Sequence, residues 1–176
     1  ACSSIVNLKL NIEGYYDTFF QAMRAVKNNQ DYISPTDEVE ELTVTLHDQN
    51  NFEVISTTSG NLHTDGTLQA IFSSSPSGAF YISVKGRNMV QTWSAVPQVV
   101  GSNPLFYDFT DASSKAYGNN MIEVATGVWA FYSGDLNHDD LVDTQDYVFW
   151  EAKYLDSAFG EEPTDLNGDG LVDTQD

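Results

Sequence analysis

Residues 135–146 read DLNHDDLVDTQD and return as residues 165–176, DLNGDGLVDTQD, sharing ten of twelve positions at an offset of thirty. In both copies oxygen-bearing side chains stand at positions 1, 3, 5, 9 and 12 of the twelve-residue frame. Carboxylates this dense do not fit a packed strand or a buried helix face, because ionised groups at close range need water or a counter-ion. A single acidic turn would satisfy that requirement by solvation alone. Duplication of the same frame points instead to a bound cation, and the spacing is that of an EF-hand-type calcium loop.

Calcium takes six to eight oxygens at about 2.3–2.6 Å, so roles follow from position. In loop one, Asp135, Asn137 and Asp139 supply side-chain oxygens, Leu141 its carbonyl, Asp143 a direct or water-mediated contact, and Asp146 the closing carboxylate. Loop two offers Asp165, Asn167, Asp169, Leu171, Asp173 and Asp176 in the same order. Magnesium prefers a smaller, more rigid octahedron with more retained water, so up to two calcium ions are expected. Position 6 requires a backbone that turns with positive φ. Gly170 meets this freely, whereas Asp140 adopts it at some cost. Position 12 is Asp rather than Glu in both loops, so the following helix must approach more closely. Val142 and Val172, at position 8, are expected to point inward and pair the two loops.

Charge supports a cationic partner. Seven Lys and Arg against 26 Asp and Glu give a net charge of −19. Residues 135–176 hold 13 acids and one base, Lys153, which is −12 of that total. Such a balance repels nucleic acid and anionic membrane surfaces. No apolar run reaches the length of a membrane span. The only cysteine, Cys2, makes no internal disulfide, leaving packing and metal to stabilise the chain. Its place beside Ala1 admits a lipid anchor, although a free thiol is the simpler reading.

The 176 residues suffice for one domain and a small appended module, divided here as 1–132 and 133–176. Residues 4–13 alternate as a half-buried strand, with Ile5, Leu8, Leu10 and Ile12 on the apolar side. Residues 14–31 are equally compatible with a short helix or an irregular strand. The clearest period of two lies at 39–47, where Leu42, Val44 and Leu46 face one way and Thr43 and Thr45 the other. Residues 79–85 and 89–95 read as a hairpin closed by Gly86, Arg87 and Asn88. Turn signals recur every eight to twelve residues, which argues for a mainly β chain, an antiparallel immunoglobulin-like β-sandwich. A small loop-helix calcium segment follows it, because Val148, Ala152, Leu155 and Phe159 place a helix after loop one.

A loop with an exiting helix, duplicated, resembles a dockerin type I module. That resemblance implies contact with a cohesin partner through loop positions 10 and 11, here Thr144, Gln145, Thr174 and Gln175. The preceding region, through GYYD, LTVTLHD, NLHTDGT, FYISVKGRN, QTWSA, YDFT, AYGNNM and WAFYSGDLN, resembles in the same order a module near the C-terminus of large bacterial proteins of the type IX secretion route. That family implies a non-catalytic sandwich followed by a dockerin-like segment, secreted or held at the cell surface. Its members continue into a second helix, so the second repeat here is expected to be incomplete, either truncated or completed by a neighbouring chain or domain.

No nucleophile elbow, zinc-helix or phosphate-loop motif occurs, and His47, His63 and His138 are scattered, so no enzymatic activity is expected. Trp93, Tyr81, Tyr15 and Tyr16 would form a carbohydrate platform if exposed together, against ordinary core packing. The expected role is structural: a secreted or surface calcium-binding module for adhesion, display or assembly, through a protein partner or self-association. The alternatives are a cohesin-binding dockerin anchor and a carbohydrate-binding sandwich.

Overall fold

The structure, a computed structural model, describes residues 3–176. Cys2, and with it the choice between thiol and lipid anchor, lies outside the described residues. The chain runs through β1 (Ser4–Lys9), a small hairpin of β2 (Tyr16–Asp17) and β3 (Ala22–Met23), and a short helix α1 (Val26–Asp31). There follow β4 (Glu38–Asp48), β5 (Val54–His63), β6 (Thr67–Phe72), β7 (Gly78–Lys85), β8 (Thr92–Trp93), β9 (Gln98–Val100), β10 (Leu105–Asp108), β11 (Ile122–Ala125), β12 (Val128–Ala130) and α2 (Thr144–Leu155).

The order β10-β1-β6-β5-β4-β7-β8, with β9 also on β7, forms one eight-stranded sheet curled in the manner of a sandwich. β4 is its centre, pairing antiparallel with both β5 and β7. Leu42, Val44 and Leu46 are fully buried, as their alternation predicts. β1 also alternates, but its inward set is Val6, Leu8, Leu10 and Ile12, while Ile5 is only half-buried beside Asn7 and Lys9. With a side-chain period of two, these four residues in phase outvote one out of phase.

The sheet departs from the expected antiparallel pattern at one edge, where β10 lies parallel to β1 with Val6 opposite Leu105 and Lys9 opposite Asp108. A parallel neighbour needs a crossover, and the chain from β2 to β9 lies between β1 and β10. Residues 14–31 contain both alternatives: a 3-10 turn at Glu13–Tyr15, the β2–β3 hairpin and then α1. The expected hairpin after β7 is reduced to two residues, Thr92 and Trp93, opposite Val84 and Ser83. Asn88 accounts for the difference. Its fully buried side chain donates to Tyr15 Oη at 2.8 Å and to the Pro163 carbonyl at 3.0 Å, drawing the turn toward the C-terminal segment.

The core is continuous from Val6 to Phe131 and includes Tyr15, Phe72 and Phe109 without exposure. Phe109 and Phe131 meet edge to face at 4.9 Å. Phe131 also bridges to Ile12, and Glu13 N donates to the Phe131 carbonyl at 2.9 Å. The segment that leads into the acidic repeat is thus fixed to the core at Phe131, four residues before the repeat begins.

Candidate functional site

Loop one folds around its own carboxylates. Asp135 is fully buried and accepts Asp139 N on Oδ1 and Asp140 N on Oδ2, each at 3.1 Å. Asp146 closes the ring: Oδ1 accepts Leu136 N at 2.8 Å and Asn137 N at 3.1 Å, and Oδ2 accepts Asp143 N at 2.8 Å. Burial pushes the Asp146 carboxyl up, but these backbone donors outweigh it and hold the group below the ordinary carboxylate range. Asp140 takes the left-handed backbone demanded of position 6, at φ 66°, and His138 does so at φ 64°.

Asp146 also starts α2. Asp143 is its N-cap, Oδ1 accepting Gln145 N at 2.7 Å, and Asp146 completes a reciprocal capping box. The helix that follows is exposed along most of its length. Val148 is 61% and Leu155 74% accessible, with Tyr147, Phe149 and the neighbouring Thr144 and Gln145 also open to solvent. The stripe of Val148, Leu155 and Phe159 is therefore a surface rather than a core contact. Beside it an open groove of about 330 Å³ is lined by Leu136, Val142, Tyr147, Trp150, Leu166 and Thr174. The Trp150 indole N–H is buried next to this groove without a hydrogen-bond partner.

Loop two repeats the internal bonds. Asp176 Oδ1 accepts Leu166 N at 2.9 Å and Asn167 N at 3.1 Å, its Oδ2 accepts Asp173 N at 2.7 Å, and Asp173 Oδ1 accepts Gln175 N at 2.8 Å. Its surroundings differ. The β2–β3 hairpin and α1 pack against it: Arg24 Nη1 donates to Asn167 O at 3.1 Å and Oδ1 at 3.3 Å, and Asn29 Nδ2 to Gly168 O at 2.7 Å. Gln30 Nε2 donates to Asp165 Oδ2 at 2.8 Å, and Gln30 Oε1 accepts Arg87 Nη2 at 2.9 Å. Arg87 Nε lies 3.6 Å from Glu40 Oε1, whose carboxyl is pushed up by burial, and Arg87 N donates to the same oxygen at 3.0 Å. Burial likewise raises the Asp176 carboxyl above its ordinary value, overriding the backbone donors that hold Asp146 down.

The sequence reading distinguishes the loops only by position 6 and by the missing second helix, and it gives no role to Arg24, Asn29, Gln30 and Arg87. A signal was present. The two positions at which the copies differ, His138 against Gly168 and Asp140 against Gly170, face this contact. A Cβ on Gly168 would stand 2.5 Å from Val26 Cγ2, and one on Gly170 2.5 Å from the Asn29 carbonyl oxygen. Side chains are tolerated in the free loop and not in the docked one.

The pairing expected between Val142 and Val172 does not form. Val172 is buried at 4% exposure, with its N–H on the Ala158 carbonyl at 3.0 Å, whereas Val142 is exposed and its Cγ1 lies beside Gly134. Loop two is instead bridged through Leu171 to Phe159, in the segment that follows α2. Thr174 and Gln175 are exposed like Thr144 and Gln145.

Among the described residues, no group of three His, Cys, Asp or Glu side chains is drawn together closely enough to hold a metal ion. Each loop nevertheless presents a mixed donor set, with Asn side chains and main-chain carbonyls beside the acids. The four residues of the carbohydrate platform are not exposed together. Tyr15 is in the core, while Trp93 stacks on His47 at 3.9 Å and meets Tyr81 at 6.3 Å, with Phe52 and Tyr117 joining from outside. His47 Nδ1 bonds the Phe52 carbonyl at 3.1 Å and Nε2 the buried Ser83 hydroxyl at 2.9 Å, which locks the ring beneath Trp93.

Among the described residues no helix is long and apolar enough to cross a membrane. No known family profile and no curated protein sequence matches the chain. Its fold does match solved structures. One is a C-terminal interface mutant of the type II cohesin–X–dockerin complex from Acetivibrio cellulolyticus, at 12% identity, covering 97% of this chain and 88% of the matched chain with a TM-score of 0.50. An N-terminal interface mutant of the same complex matches at 13% identity and the same coverage, with a TM-score of 0.52. At such identity the likeness establishes architecture: a mainly β, sandwich-like fold shared with a chain of these assemblies.

Proposed function

We propose that the chain is a non-catalytic protein-recognition module that binds calcium in its acidic loops and presents α2 to a cohesin partner. The observation that carries this reading is an apolar helix left open to solvent directly after a capped, carboxylate-lined loop. The likeness to chains of cohesin–X–dockerin complexes supports a protein partner, and its 97% coverage takes in the acidic repeat as well as the sandwich. Calcium is the fitting ion. Asp135, Asp146 and Asp165 are buried acids and Asp176 is half-buried, position 6 has positive φ in both loops, and the Asn and carbonyl oxygens suit a hard cation.

In loop one Asp135, Asn137, Asp139, Leu141, Asp143 and Asp146 would hold the ion, and in loop two Asp165, Asn167, Asp169, Leu171, Asp173 and Asp176. A bound calcium neutralises the clustered charge and so stabilises the folded loop against its own repulsion. Thr144 and Gln145, exposed at the start of α2, and Thr174 and Gln175 at the matching place in loop two, are the polar contacts to the partner. An extracellular or cell-surface setting, as the type IX-associated resemblance implies, supplies calcium at the level such modules use, about 0.1–1 mM.

Titrating the purified chain into a type II cohesin domain tests the reading. Binding is expected in calcium and lost in chelator, and the double change Thr144→Ala, Gln145→Ala should abolish it while the heat of calcium binding persists. Absence of calcium heat would remove the metal reading. Calcium heat without cohesin binding would leave adhesion or assembly through another protein as the role.

A further inference from the structure

Each carboxylate oxygen has about two acceptor directions, so an ionised Asp can satisfy about four donors. Asp165 meets that number within the protein. Its Oδ1 accepts Gly168 N at 2.8 Å and Asp169 N at 3.2 Å, and its Oδ2 accepts Gly170 N at 2.9 Å and Gln30 Nε2 at 2.8 Å. Asp135, in the same place of loop one, has one donor on each oxygen. Behind Gln30 stands the Arg87 guanidinium, and Arg24 donates to Asn167 on the other side, so two positive groups of the sandwich face loop two. No Lys or Arg bond to loop one is present among the described residues; its exposed His138 lines an open pocket with Lys85 and Arg87 but makes no bond to either.

Resting on the calcium reading above, we infer that the two loops divide their work: the sandwich holds loop two in shape without an ion, and calcium-dependent ordering is confined to loop one and α2. Gln30 is the positioning residue of loop two. Its amide is fixed by Arg87 on one side and fills the last acceptor direction of Asp165 on the other. Loop one has no such external support, so its repulsive cluster, and the helix capped by it, await the ion. Calcium thereby switches the exposed face of α2 without disturbing the joint between the repeat and the sandwich.

Hydrogen exchange on the full chain, in chelator and in calcium, tests this with calcium calorimetry on the same sample. In chelator the amides of Gly168, Asp169 and Gly170 should exchange at least about tenfold more slowly than those of Asp139, Asp140 and α2, and calcium should protect the latter. Equal exchange of the two loops in chelator, or calcium ordering both alike, would overturn the inference while leaving the calcium reading intact. Calorimetric silence together with unchanged exchange at both loops would remove both. Gln30→Leu should speed exchange in loop two in chelator and leave the calcium response of α2 unchanged; exchange in β4 shows whether the sandwich survives the change. Should it not, Asn29→Ala, which removes the bond to the Gly168 carbonyl, makes the same comparison.

Discussion

Gln30 Nε2 donates to Asp165 Oδ2 at 2.8 Å across 135 positions of sequence. Through it the half-buried Arg87, paired with the buried Glu40 of the sandwich, reaches the first residue of loop two. An amide is suited to this place because it accepts from the guanidinium and donates to the carboxylate without adding charge. The C-terminal repeat is consequently anchored by one loop and displayed by the other.

The anchor depends on the absence of a side chain. Gly170 has φ 90° and its Cβ would stand 2.5 Å from a main-chain oxygen, whereas Gly127 has φ 72° with nothing within 4 Å. Gly170→Ala should therefore lower stability by about 2–4 kcal/mol and Gly127→Ala by about 1 kcal/mol, the cost of positive φ alone. Denaturant melts of the two variants check the difference.

Asp146 closes loop one through Oδ1 and completes the capping box of α2 through Oδ2. Replacing it with Ala should destabilise the helix by about 1–2 kcal/mol and abolish calcium binding at that loop. Circular dichroism and calorimetry would show this, and the melt of the sandwich should be unaffected, since α2 is mostly exposed.

Burial beneath Trp93 holds the His47 imidazole below its ordinary value, against a smaller opposing effect of the Phe52 carbonyl. The unfolded chain then binds the extra proton first, so the stability from neutral His47 is present above about pH 6.5 and is lost as pH falls through the folded value. Denaturant melts between about pH 7.5 and 5 should show this decline, and His47→Gln should flatten that part of the profile.

The open face of α2 should matter to binding and little to folding. Val148→Asp or Leu155→Asp removes exposed apolar surface, so each should change stability by less than about 0.5 kcal/mol. Each should weaken cohesin binding by at least about tenfold if that face is the contact. Unchanged affinity on calorimetric titration would place the contact elsewhere.

Much of the architecture is legible without coordinates. Period-two alternation in β4 and in the strands around it marks a mainly β chain, because a pleated strand buries every second side chain whatever its neighbours are. The frame of the acidic repeat likewise fixes which backbone positions turn with positive φ, and Asp140 and Gly170 both do so. The helix after loop one follows from a helical apolar period, but it runs from Thr144 to Leu155 and leaves Phe159 outside.

What the sequence alone determined was therefore local: strand periodicity, two loops of common internal geometry and one exiting helix. Tertiary structure decided which loop is docked, that β10 runs parallel to β1, that Tyr15 leaves the aromatic surface for the core, and that Val142 and Val172 do not meet. These depend on contacts between distant segments, and near-identical sequences acquire different surroundings when only one of them lies within reach of α1. The trace left in the chain is small: glycines at 168 and 170, where the free copy carries His138 and Asp140, because a Cβ at either place would collide with the sandwich.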